Sequence, residues 1–258
     1  MARAGYTARG IVFLLIGVFA LLAASGARTR PTGVSGALHT LFAHPFGGVL
    51  LWLVAFGLAC FAGWRFTQGV LDADHHGNSA YGLLRRALLT CNGLFYLVLA
   101  IVAADITVAV GEVKEDQSVR DWTAWLMAKP VGRVMIGLIA AGFVITAIAL
   151  VISAFRKPYE RRIDSHRMPP AWAAAFGTFG LLTRAAVFAM IGAFLGFAAH
   201  DGNSAEAVGL AGALATLQHQ AYGGALLAVA ALGLIAFAAF EFIEAWARRI
   251  GTPRAPHI

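Results

Sequence analysis

The chain has 258 residues, 59% hydrophobic and 13% charged, with a net charge of +7. A soluble domain carries about 25% charged residues, and with a mean hydropathy of +0.73 the deficit marks a chain solvated mostly by lipid. The basic balance would suggest nucleic acid in a soluble protein. No basic patch here is interleaved with aromatics, so nucleic acid is excluded as a partner and the bases are read as topology signals and headgroup contacts.

Taken in order, six runs reach the ~20 mostly apolar residues that a membrane span needs: about 8–25, 46–66, 84–105, 131–153, 177–199 and 223–246. The first run follows Arg3 and Arg9 and ends in Ala23-Ala24-Ser25-Gly26-Ala27, which has the outline of a cleavable leader. It is read instead as a retained span, because it is the first helix of an internal repeat that cannot lose it without breaking the architecture.

The second run opens at Gly47, with Gly57 ten residues on. The same pair returns as Gly132 and Gly142, and again as Gly223 and Gly233, at separations of 85 and 91 residues. Upstream, Gly36-Ala37-Leu38-His39-Thr40-Leu41 matches Gly212-Ala213-Leu214-Ala215-Thr216-Leu217, with residues 121–126 at the same offset in the middle unit. Leucines at i and i+3 share a helical face, so these segments read as short helices at the membrane surface, and Trp122 and Trp125 suit that depth. Pro45 and Pro130 stand two residues before the repeat glycine, where proline is compatible with a helix start.

Each unit is therefore helix, surface helix, helix. The units fall at 1–77, 78–168 and 169–250, with a tail at 251–258. An even number of spans per unit gives all three one orientation, so the expected fold is an all-α six-helix bundle of three parallel two-helix repeats with pseudo-threefold symmetry. With the N-terminus inside, fourteen of the twenty lysines and arginines lie on the cytoplasmic side, many in the connector 156–162. The positive-inside rule then places both termini in the cytoplasm, at a bacterial inner membrane.

Three units of this kind, opening on Gly5-Tyr6-Thr7-Ala8-Arg9-Gly10 and carrying a proline–glycine start to the second helix, resemble the bacterial membrane family catalogued as domain of unknown function 1206. The resemblance spans essentially the whole chain. It implies six transmembrane helices in three repeats, and it implies no reaction, ligand or catalytic residue. The third unit departs from the pattern, with Ala221 in place of the proline.

Four sets of residues are candidates for function. Arg9, Arg184 and either Arg85 or Arg86 begin the first helix of each unit. As a ring they would select anions; singly they would snorkel to headgroups. Arg65, Leu150 and Glu241 stand eighteen residues after the repeat glycines, which makes Arg65–Glu241 the candidate intramembrane ion pair. Gly47, Gly57, Gly132, Gly142, Gly223 and Gly233, with Gly192 and Gly196 in a GxxxG, are read as helix-packing positions. His39, His44, His200 and His219 are weak metal candidates at non-equivalent repeat positions, so no metal and no cofactor is expected. Cys60 and Cys91 lie in apolar spans without CxxC spacing. Asn92, mid-span, is expected to bond a neighbouring helix.

No GxSxG, HExxH or phosphate-loop pattern is present, so the chain is not expected to be an enzyme. The leading expectation is a small pore or transporter along the pseudo-threefold axis. The alternatives are a non-catalytic accessory or scaffold subunit of a larger membrane complex, and a metal- or haem-binding membrane protein. The expected partners are membrane lipid and either another membrane protein or further copies of the chain.

Overall fold

A computed structural model describes residues 2–26, 31–43, 45–73, 77–108, 115–156 and 170–247. His44, the paired histidines at 75–76, most of the basic connector 156–162 and the tail 251–258 lie outside them. The described residues form nine α-helices, α1 (Ala2–Ala24), α2 (Val34–Phe42), α3 (Gly47–Val70), α4 (Ala80–Val108), α5 (Glu115–Met127), α6 (Gly132–Arg156), α7 (Pro170–Asp201), α8 (Leu210–Gln218) and α9 (Gly223–Ala247), with a 3₁₀ turn at Ser204–Glu206 and no strand.

Six helices are long and apolar enough to cross a membrane: Arg3–Ala24, Gly47–Val70, Gly82–Thr107, Gly132–Arg156, Ala174–Asp201 and Gly223–Trp246. These are the six expected runs, most of them extended at one or both ends. In lipid every backbone N–H and C=O must be satisfied within the chain, so a helix continues past its apolar stretch until polar groups or water can replace its ladder. Α1, once a candidate leader, lies between α3 and α9 within the bundle.

The long interfaces obey one rule. The second span of each repeat lies along the first span of the next: α3 on α4, α6 on α7, and α9 back on α1. This cyclic order is the expected pseudo-threefold arrangement. Within repeats, α1 packs on α3 and α7 on α9, but α4 and α6 make no comparable contact among the described residues. The ring is thus broken at one seam, inside repeat two.

Each surface helix folds back onto the span that follows it. A Cβ on Gly47 would strike the carbonyl oxygens of Leu41 and Phe42, one on Gly132 that of Leu126, and one on Gly223 those of Leu217 and Gln218. The first glycine of each pair is therefore a turn glycine rather than a helix-packing one. Its predecessors Phe46 and Tyr222 take left-handed φ of 63° and 61°. Leu38 of α2 and Leu214 of α8 are completely buried, whereas Trp122 and Trp125 of α5 are exposed. Two surface helices thus press into the end of the bundle, and the middle one stays at its surface.

Candidate functional site: a buried arginine–glutamate cluster

The site begins with small residues. Gly5 lies against Phe61, and Ala8 against Gly57, bringing α1 onto α3. In repeat three, Gly180 lies against Phe237 and Thr183 against Gly233. Close approach fixes the next side chain on each helix, Arg9 and Arg184, toward the interior.

Arg9 Nη2 pairs with Glu241 Oε1 at 3.1 Å, with side chains only 5% and 3% exposed. The Arg9 guanidinium lies 4.6 Å from the Phe61 ring centroid, 5.0 Å from Tyr96 and 5.7 Å from Phe237. Arg65 shares the Phe61 ring at 4.8 Å and donates from Nη1 to Gln68 Oε1 at 3.1 Å. Arg184 lies over Phe188, Phe237 and Phe13 at 4.9, 5.0 and 5.5 Å. The rings support one another edge to face, Phe61 on Tyr96 at 4.8 Å and Phe13 on Phe237 at 4.9 Å. A desolvated guanidinium over an aromatic face gains about 2 kcal/mol, which offsets part of the cost of holding it out of water.

The three arginines and Glu241 lie within electrostatic reach of one another, and Glu244 of Arg9 and Glu241. Even with Glu244 included, three guanidiniums face two carboxylates. Nε of Arg9, Arg65 and Arg184 and Oε2 of Glu241 have no hydrogen-bond partner among the described residues. The cluster thus holds surplus positive charge and unused donors inside a set of membrane spans. Buried groups of this kind are expensive and are the usual mark of a functional site in a membrane protein.

The expected ring of three helix-start arginines does not form. Arg9 and Arg184 enter the cluster, but Arg86 caps the C-terminus of α3, donating from Nε to Gly69 O and from Nη2 to Val70 O, both at 2.9 Å. Arg85 is exposed. The expected ion pair also changes partner. Glu241 binds Arg9 rather than Arg65, because α9 returns to α1, while Arg65 turns to Gln68 one helical turn on.

Among the remaining candidates, Gly57 and Gly233 do receive a neighbouring helix, as does Gly192 against Ala140, Phe143 and Val144 of α6, with Gly196 at ordinary contact distance from Ala140. Nothing approaches Gly142. His200 Nδ1 lies 2.7 Å from Asp201 Oδ1, His219 is exposed and His39 half-buried on α2. No three His, Cys, Asp or Glu side chains come together as a metal site among the described residues. Asn92 makes no hydrogen bond to another described residue.

Two features escaped the sequence. Phe61 and Phe237 stand fourteen residues after Gly47 and Gly223, but an aromatic inside an apolar run carries no distinguishing signal, and repeat two has Thr146 there. Asp116 of α5 accepts from the backbone N–H of Gly209 and Gly212 at 2.9 and 3.1 Å. It caps α8 of the following repeat from outside, and only the fold brings the two together.

Six spans in three cyclically packed repeats, enclosing charged groups, define a polytopic membrane protein. The chain belongs to the family described as Domain of Unknown Function (DUF1206), which matches residues 4–72, 88–157 and 179–248. It is similar to the uncharacterized protein YxxB of Bacillus subtilis (strain 168), 33% identical over 245 residues that cover 94% of this chain and 88% of the relative. No solved structure matches. Tyr96 meets Phe61 as Phe13 meets Phe237, and four residues before these rings stand Asn92 and Arg9, so repeat two carries Asn92 where the others carry Arg9 and Arg184.

Proposed function

We propose that the protein is a non-enzymatic membrane transporter that binds a small anionic group at Arg65 and Arg184, beside the Arg9–Glu241 pair. The observation that carries this reading is the excess of three clustered guanidiniums over two carboxylates, with a buried Nε donor left unused on each arginine. Arginine presents a planar fork of donors suited to phosphate and carboxylate oxygens, and a bound anion would complete both the charge balance and the hydrogen bonding. A wide aqueous pore is disfavoured, since Phe61 and Phe237 are buried at the level of the cluster. A groove of about 410 Å³ between α6 and α7 is lined by apolar side chains, with no charged group among them. By the lysine and arginine distribution, we place the protein in the bacterial inner membrane, with the start of α1 and the end of α9 at the cytoplasmic side.

Thermal unfolding of purified protein against inorganic phosphate, at ionic strength matched with chloride, tests the site. A ligand at 100 times its Kd stabilises the folded state by about 2.7 kcal/mol. Phosphate should raise Tm saturably in the wild type and leave the Arg65→Gln/Arg184→Gln variant unmoved. A Tm indifferent to phosphate, or an equal rise in the variant, overturns the anion site. Absence of phosphate flux in liposomes would overturn transport. The unpaired faces of α4 and α6 favour a second reading, an accessory subunit. A partner recovered at fixed stoichiometry from native membranes would support it.

A further inference from the structure

Building on the anion site proposed above, we infer that the anion is the headgroup phosphate of an anionic membrane lipid, which reaches Arg65 and Arg184 sideways through the gap between α4 and α6. In repeats one and three the second glycine of the pair is occupied, Gly57 by Ala8 and Gly233 by Thr183. The equivalent pair in repeat two is Gly142, ten residues after Gly132, and Cys91, one residue before Asn92, the counterpart of Arg9 and Arg184. They do not meet, and nothing lies within 4 Å of a Cβ built on Gly142. Only 22% and 17% of the α4 and α6 spans are buried, against 44–61% for the other four. The gap is therefore open laterally, toward the bilayer.

The two arginines with partial exposure flank this gap. Arg65 lies beside Gly93 of α4. Arg184 lies over Phe188, whose ring packs 5.4 Å from Phe143 of α6. Arg9, by contrast, is sealed behind them. At 1.5 Å per residue Arg9, Arg65 and Glu241 stand about 8–10 Å inside their helix ends, Arg184 stands about 21 Å along the longer α7, and Gly142 lies about 12 Å deeper along α6 than Leu150, the counterpart of Arg65. A phosphate at the arginines thus directs its acyl chains past Gly142 toward the bilayer centre. The exposed side chains of α4 and α6 at this depth are apolar, Leu94, Val98 and Ile145 among them. A water-borne anion gains nothing from such walls, and one lipid phosphodiester carries the single negative charge that the cluster lacks.

Native mass spectrometry of the full chain, titrated with phosphatidylglycerol or phosphatidylcholine, tests the inference beside the phosphate unfolding assay. One phosphatidylglycerol should be retained in preference to phosphatidylcholine, and Arg65→Gln/Arg184→Gln should weaken retention at least about tenfold, the ratio that 1.4 kcal/mol represents. Gly142→Phe fills the gap without touching the arginines. It should lose phosphatidylglycerol while keeping stabilisation by inorganic phosphate, and Cys91→Phe, from the opposite wall, should do the same. Phosphate stabilisation without lipid retention overturns the lipid inference and leaves the anion site standing. Failure of both probes overturns both. Undiminished retention in folded Gly142→Phe and Cys91→Phe proteins overturns the lateral route.

Discussion

Repeats one and three close their own pairs of spans, and repeat two leaves its pair apart, although all three share the same glycine rhythm. The difference lies in what each contributes to the interior. Repeat one supplies Arg9, Arg65 and Phe61; repeat three supplies Arg184, Glu241 and Phe237. Repeat two has Asn92, Leu150 and Thr146 at the corresponding positions, and the Thr146 hydroxyl bonds back to Gly142 O at 2.7 Å. Lipid is as apolar as leucine, so apolar surface alone gives two helices little reason to associate in a bilayer. Polar and aromatic contacts have to supply the preference, and the aromatic that repeat two offers at this level, Tyr96, is turned to Phe61 and Arg9 of repeat one rather than to α6.

The largest effect expected of breaking that contrast comes from the buried pair. Glu241→Gln leaves Arg9 enclosed without its partner and should cost about 3–5 kcal/mol of unfolding free energy, while Arg9→Met/Glu241→Leu, which removes both charges, should recover much of it. Denaturation in detergent micelles measures both, and equal losses in the single and double variants would mean that the pair does not hold repeats one and three together. Next come the second glycines. Gly233→Leu overpacks the contact with Thr183 and should cost about 1–3 kcal/mol, whereas Gly142→Leu, in open space, should stay within about 0.5 kcal/mol. A large loss at Gly142 would show that repeat two closes in the membrane. Smaller still, Asp116→Ala removes the cap on α8 and should cost about 1 kcal/mol, detectable as faster amide exchange at Gly209 and Gly212. Chelation with EDTA should leave Tm where it is; a fall would revive the far-side histidines as metal ligands.

The spans, the repeats and the short surface helices were legible because each rests on a local signal: apolar length, a recurring glycine, leucines on one face; which of the surface helices press into the bundle was not. Even the cyclic order followed from three equal units. Pairing across the ring did not. Arg65 and Glu241 share a repeat position, but equivalence in sequence places them symmetrically around the axis rather than side by side. Glu241 reaches Arg9 because α9 is the neighbour of α1. The ambiguity between Arg85 and Arg86 had a similar origin. A basic residue at a helix start can face inward, face lipid or cap the helix before it, and the geometry at Gly69 and Val70 selects the last for Arg86.

The Arg9–Glu241 contact joins the first span to the last, and this sets an order of events during synthesis. Arg9 leaves the ribosome ahead of its carboxylate partner, with five further spans made between them. Until then the guanidinium must be kept hydrated at the bilayer edge, so α1 cannot settle to its final depth ahead of α9. A chain interrupted before α9 would leave Arg9 without its carboxylate partner, and the arrival of Glu241 removes the cost of that charge within the membrane.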